Sequence, residues 1–198
     1  MNLPNKLTIL RIIFVLVMVV ISLINIPGEI LTIPINMIVM GCIFIIASLT
    51  DTLDGYLARN KNQITTFGKF LDPIADKILV VSAMIIFLSY GKIPAWIPII
   101  VIFREFLVSG YRLVAVGKEG NVIAASIYGK IKTVTQMVAL SLMYIDNYNY
   151  CYFITNKING VLPLIINIST SVLLTISVIA TIISGFEYMK NAKDLLKD

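Results

Sequence analysis

Six long apolar runs divide this chain, at residues 7–26, 34–58, 70–89, 94–116, 129–148 and 160–187. Each is close to the roughly 20 residues that an α-helix needs to cross the hydrocarbon core of a bilayer. The chain has 198 residues, of which 58% are hydrophobic and only 14% charged. A soluble domain of that size has too little interior to hide so much apolar side chain. The expected fold is therefore an all-α integral membrane protein with six transmembrane helices, read as one domain over 1–198. Prolines and glycines punctuate the runs at Pro27-Gly28, Pro34, Pro94 and Gly117 to Gly120. The first run resembles a signal peptide in outline, but Asn25-Ile26-Pro27-Gly28 is a poor cleavage site, so it is read as retained.

The net charge of +5 would suggest nucleic acid in a soluble protein. Here the cations flank apolar runs, and no nucleic-acid partner is expected. With the N-terminus in the cytoplasm, Lys6, Arg11, Arg59, Lys61, Lys69, Arg112, Lys118, Lys130, Lys132, Lys190, Lys193 and Lys197 fall at or near cytoplasmic ends, and Lys92 and Lys157 fall outside. Cytoplasmic excess of Lys and Arg is the usual topological bias. The expected location is the cell membrane, with both termini on the cytoplasmic side and lipid as a partner. The two cysteines, Cys42 and Cys151, form no ligand spacing, and there is no histidine. Carboxylates are left to serve as both catalytic base and metal ligands.

Four aspartates stand out against this background. Asp51 and Asp54 are three residues apart in the second run, and Asp72 and Asp76 are four apart in the third. Each pair shares a helix face. A short polar turn joins the runs, so the helices are antiparallel neighbours and the four carboxylates can converge. Four anions in a partly dehydrated place repel one another. Hard divalent cations resolve that conflict, and Mg²⁺ or Mn²⁺ bridging to substrate phosphates fits oxygen donors; two helices with two acids each suit two ions. Gly55, Ala58 and Gly68 would let a bulky ligand approach the backbone, and Arg59 could hold a phosphate oxygen. A divalent-cation transporter also uses paired acids, but it would place them nearer the bilayer midplane, on broken helices in paired repeats.

The pattern reads Asp51-x-x-Asp54-Gly55-x-x-Ala58-Arg59, eight residues, then Gly68-x-x-x-Asp72-x-x-x-Asp76. It resembles the signature of the CDP-alcohol phosphatidyltransferase family at all eight fixed positions. The runs LPNKLTILRI, FLDPIADKILV, IPAWIPIIVIFREFLVSGYRL and AASIYGKIKTVTQM resemble the branch whose acceptor is sn-glycerol 3-phosphate. The resemblance implies a six-helix bundle, usually a homodimer, that joins CDP-diacylglycerol to that acceptor and releases CMP. It implies metal binding by Asp51, Asp54 and Asp72. Asp76 would be the general base, set deepest in the pocket and able to touch metal as well. A CDP site would be lined by Asp51, Asp54, Gly55, Ala58, Arg59 and Gly68.

For the acceptor's phosphate, Arg104 and Arg112 lie two helical turns apart on one face, and Lys130 and Lys132 begin the next run. An Arg104–Glu105 structural pair with ordinary flanking lysines is the competing reading. A basic pocket speaks against serine, choline or ethanolamine. It does not separate glycerol 3-phosphate from inositol phosphate, and phosphatidylglycerol is a further alternative. Arg11 is expected to snorkel to the cytoplasmic surface; otherwise it would help close the head-group site with Asn5 and Thr8. Trp96 reads as an interfacial anchor on the outer side.

Overall fold

The computed structural model describes residues 3–24, 26–61, 66–119 and 127–192, and the side chains at 3–5, 51–61, 66–73, 112–119 and 191–192 lie outside the description. Among the described residues there are six long helices: α1 (Leu3–Leu23), α2 (Ile35–Lys61), α3 (Thr66–Ser89), α4 (Trp96–Glu119), α5 (Ile127–Met143) and α7 (Val161–Ala192). They coincide with the six apolar runs to within a few residues. Two features have no counterpart in the apolar pattern. One is a two-residue antiparallel ribbon, β1 (Glu29–Ile30) and β2 (Ile33–Pro34). The other is the single-turn helix α6 (Tyr152–Thr155). Both are too short to carry a hydrophobic period.

Helix ends follow local chemistry. Pro4, Pro98 and Pro163 sit in the first turns of α1, α4 and α7, where a missing amide hydrogen breaks no helical bond. At the end of α3, Gly91 takes a left-handed φ of 68°. The Lys92 amide then donates to the Phe87 carbonyl at 2.9 Å, closing the helix with a glycine cap.

The helices alternate in direction. α1 packs on α2 and α3, and α5 and α4 each pack along α7. One apolar core draws on every long helix: Met18 from α1, Phe44 from α2, Phe87 from α3, Val101 from α4, Leu140 from α5 and Leu174 from α7 are all buried in it. Tyr144 lies between Phe44 and Phe87, with ring centroids at 5.7 and 4.6 Å.

α7 buries much of its polar side chain and exposes much of its apolar side chain. On α7, Asn167, Thr170, Ser171, Ser177, Thr181 and Ser184 are buried, while Ile165, Ile176, Ile179 and Phe186 are exposed. Several of the buried hydroxyls donate back to the preceding turn, as Thr181 does to the Ser177 carbonyl at 2.6 Å. An apolar exterior with self-satisfied polar groups inside is what lipid demands of a helix. Among the described residues, Lys6–Leu23 of α1 and Val161–Lys190 of α7 are long and apolar enough to cross a bilayer, and Ile35–Thr50 of α2 is a shorter apolar stretch. The chain is a membrane protein.

The end of the bundle carrying residues 24–34, 90–95 and 144–160 is laced by hydrogen bonds. The Tyr150 amide donates to the Lys92 carbonyl at 2.8 Å. Lys92 Nζ donates to the carbonyls of Met143, at 3.1 Å, and Asp146. Burial pushes the Lys92 ammonium below the ordinary lysine range, against the opposing pull of Asp146. Asn167 Nδ2 donates to Asp146 Oδ2 at 3.0 Å. Trp96, 46% exposed, meets Tyr150 edge-on at this end.

Gly41 sets the closest approach of α2 to the end of α5. A Cβ there would fall 2.8 Å from Tyr144 Cβ, inside any relaxed carbon contact. Gly41→Ala is expected to destabilise the fold by about 1–3 kcal/mol. Gly110→Ala, in α4 with open space around the added carbon, should be neutral or slightly stabilising. Unfolding in detergent, followed by circular dichroism, measures both.

Candidate active site

In the sequence, both acid pairs fall in the stretch where α2 ends and α3 begins. The side chains of Asp51, Asp54, Gly55, Ala58, Arg59, Gly68 and Asp72 lie outside the described residues, as does that of Arg112. Asp76 is described. Arg11 Nη1 of α1 donates to Asp76 Oδ1 at 2.5 Å.

The environment of that pair corrects one expectation. Arg11 does not snorkel to the surface: its side chain is 0% exposed, and Thr8, one turn earlier, is buried beside it. The Asp76 side chain is 49% exposed, and its depth relative to the other three aspartates lies outside the described residues. A guanidinium held inside the bundle fixes one oxygen of the carboxylate. The sequence shows a lone arginine in an apolar helix but not the direction in which it points.

A second charged cluster lies at the same end. Glu105 Oε1 accepts from Arg104 Nη1 at 3.0 Å and from Lys132 Nζ. Arg104 Nη2 also donates to Ser184 Oγ of α7 at 2.6 Å, and its Cζ lies 5.7 Å from the Tyr188 ring centroid. Arg104 Nε is buried with no hydrogen-bond partner among the described residues. Lys77 Nζ of α3 donates to Ser109 Oγ of α4 and lies within electrostatic reach of Glu105. Three cations therefore surround one carboxylate. Such a cluster holds more donors than one carboxylate uses, so it can accept a further anion.

Of the four cations expected to hold an acceptor phosphate, the structure brings Arg104 and Lys132 together. Lys130 is exposed in the first turn of α5. The Arg104–Glu105 pair of the competing reading is present, within a larger cluster. Lys77 was not singled out from the sequence. Its signal was its position: it directly follows Asp76 and so joins the acidic site to the basic cluster.

The family model for CDP-alcohol phosphatidyltransferase matches residues 1–183. A Bacillus subtilis protein named CDP-diacylglycerol--glycerol-3-phosphate 3-phosphatidyltransferase is 39% identical, covering 99% of this chain and 97% of its own. Proteins of the same name from Haemophilus influenzae and Rickettsia bellii are 37% and 35% identical, covering 100% and 97% of this chain and 96% of their own lengths in both cases.

Removing the shared anion of the basic cluster leaves buried cations facing each other. Glu105→Gln is expected to destabilise the protein by about 3 kcal/mol, read as a lower unfolding midpoint in detergent. Glu105→Asp should recover part of that loss.

Proposed function

The chain belongs to the CDP-alcohol phosphatidyltransferase family, and on that premise we propose how it works. It is a transferase of phospholipid biosynthesis that moves the phosphatidyl group from CDP-diacylglycerol to glycerol 3-phosphate and releases CMP. The family is generally dependent on divalent metal. The observation that carries the acceptor reading is the adjacency of Asp76 and Lys77. One residue belongs to the motif that handles the nucleotide-activated donor. The next belongs to a cluster of three cations around one carboxylate. An acceptor with a hydroxyl at one end and a phosphate at the other would bridge the two.

The donor set suits a hard cation, since all four motif acids offer carboxylate oxygen. Asp51, Asp54 and Asp72, with Asp76 as a possible fourth ligand, would hold Mg²⁺ or Mn²⁺, and two ions match two helices with two acids each. When bound, the metal supplies charge neutralisation for the pyrophosphate and for departing CMP. Asp51, Asp54, Gly55, Ala58, Arg59 and Gly68 would line the CDP site. Asp76 takes the proton of the acceptor hydroxyl. That oxygen forms a bond to the β-phosphorus of CDP-diacylglycerol. The bond from that phosphorus to the bridging oxygen breaks, and its electron pair leaves with CMP. Arg104, Lys132 and Lys77, with Arg112 and Lys130, would hold the acceptor's phosphate, and the unpartnered Nε of Arg104 offers a donor for it.

In this reading all six long helices cross the cell membrane and form one transferase domain. Both termini and the site face the cytoplasm, where the water-soluble acceptor is available, and the active unit is a homodimer. The inverted polarity of α7 and the shared end of the two charged clusters support the topology.

Purified protein with CDP-diacylglycerol, labelled glycerol 3-phosphate and Mg²⁺ or Mn²⁺ should form labelled lipid and release CMP, and EDTA should stop both. Asp76→Asn is expected to lower turnover by about 10³-fold while CMP and metal still bind. CMP release only with inositol phosphate or phosphatidylglycerol would overturn the acceptor. No CMP release with any acceptor, from folded protein, would return the acids to a transport role. Lys77→Met should raise the KM for glycerol 3-phosphate about 10-fold or more with little change in the KM for CDP-diacylglycerol.

A further inference from the structure

We propose that Arg11 is a positioning residue for the transfer reaction, aiming the Asp76 carboxylate at the acceptor hydroxyl. The inference rests on the reading of Asp76 as proton acceptor. It starts from an anomaly in α1. Arg11 is the last charged residue before Glu29, and it sits in α1 directly before a long apolar stretch, with its side chain 0% exposed. A buried guanidinium is costly unless it is paired. One partner lies 65 residues away on α3, at 2.5 Å, and belongs to the catalytic motif.

Packing alone does not call for an arginine here. Val15 and Met18, one and two turns further along α1, are already buried in the apolar core. An aliphatic residue at position 11 would extend that contact without burying a charge. What the arginine adds is direction. A carboxylate rotates freely about its last bond, and a charge-assisted hydrogen bond to one oxygen stops that rotation. Asp76 remains 49% exposed, so the carboxylate is held from inside the bundle and still reachable from outside it. Arg11 thus holds one oxygen of Asp76 and leaves the other to meet the acceptor hydroxyl. A displacement of about 1 Å in a reacting group lowers turnover about 100-fold.

The test compares full-length Arg11→Met, Arg11→Lys, Asp76→Asn and the double variant Arg11→Met/Asp76→Asn. Arg11→Met is expected to lower kcat about 100-fold. The KM values for CDP-diacylglycerol and glycerol 3-phosphate, and the Mn²⁺ concentration for half activation, should stay within about 3-fold of the parent. Arg11→Lys should recover about 10-fold of the lost kcat, because a lysine restores the charge but not the fork. The double variant should be no slower than Asp76→Asn alone. An unchanged kcat in folded Arg11→Met overturns the proposal. So does a double variant slower than Asp76→Asn by a further large factor, which would mean that Arg11 acts elsewhere. Should Arg11→Met fail to fold, Arg11→Lys decides: lowered kcat at constant KM supports the role, and unchanged kcat overturns it. Full turnover in Asp76→Asn would instead remove the base assignment and this inference with it. An inactive Asp76→Asn beside a fully active Arg11→Met would remove this inference alone.

Discussion

A charge inside this bundle has no water to fall back on, so each one is held by a partner from another part of the chain. Arg11 of α1 meets Asp76 of α3, and Glu105 of α4 gathers Arg104 beside it and Lys132 of α5. Arg104 reaches on to Ser184 of α7. With the Lys77–Ser109 contact joining α3 to α4, five of the six long helices are linked through these few polar contacts. In a lipid environment the apolar flanks supply little preference for one neighbour over another, because hydrocarbon surrounds the bundle as well as filling it. Ion pairs and shared hydrogen bonds therefore specify which helix lies beside which. The same groups are available for chemistry at that end.

The two ends of the bundle are built differently. The end with residues 24–34, 90–95 and 144–160 is joined by backbone hydrogen bonds, a buried asparagine and a lysine that donates to two carbonyls. The other end carries the Arg11–Asp76 pair and the cluster around Glu105. Side-chain ion pairs hold that end together, whereas contacts to backbone carbonyls dominate at the far side.

Much of this was legible in the sequence, and the reasons are physical. Helix positions followed from apolar runs of the right length, and all six long helices fall on them. The ribbon at 29–34 and the turn at 152–155 were missed because neither is long enough to have a period. The acidic motif was legible from its spacing, which is set by helix geometry. The burial of Arg11 was not, since an arginine near a helix end can reach either water or an interior acid and the sequence alone does not choose. Lys77 was overlooked because its contact with Ser109 depends on α4, which the spacing within α3 says nothing about. The Arg104–Glu105 pair is present, with Lys132 added to it; Lys130 is exposed and stands apart from it.

The inverted polarity of α7 also bears on how such a chain can change over time. Its exposed face is made largely of isoleucine, including Ile165, Ile176, Ile179, Ile182 and Ile183, and fluid hydrocarbon does not distinguish one branched aliphatic shape from another. Its inward face combines core residues such as Leu174 and Val178 with small hydroxyls and an amide in defined hydrogen bonds. A genome drifting toward particular codons can rewrite the first face almost without consequence, and the second hardly at all. The exterior is thus where the chain records its coding history, and the interior is where it keeps its specificity.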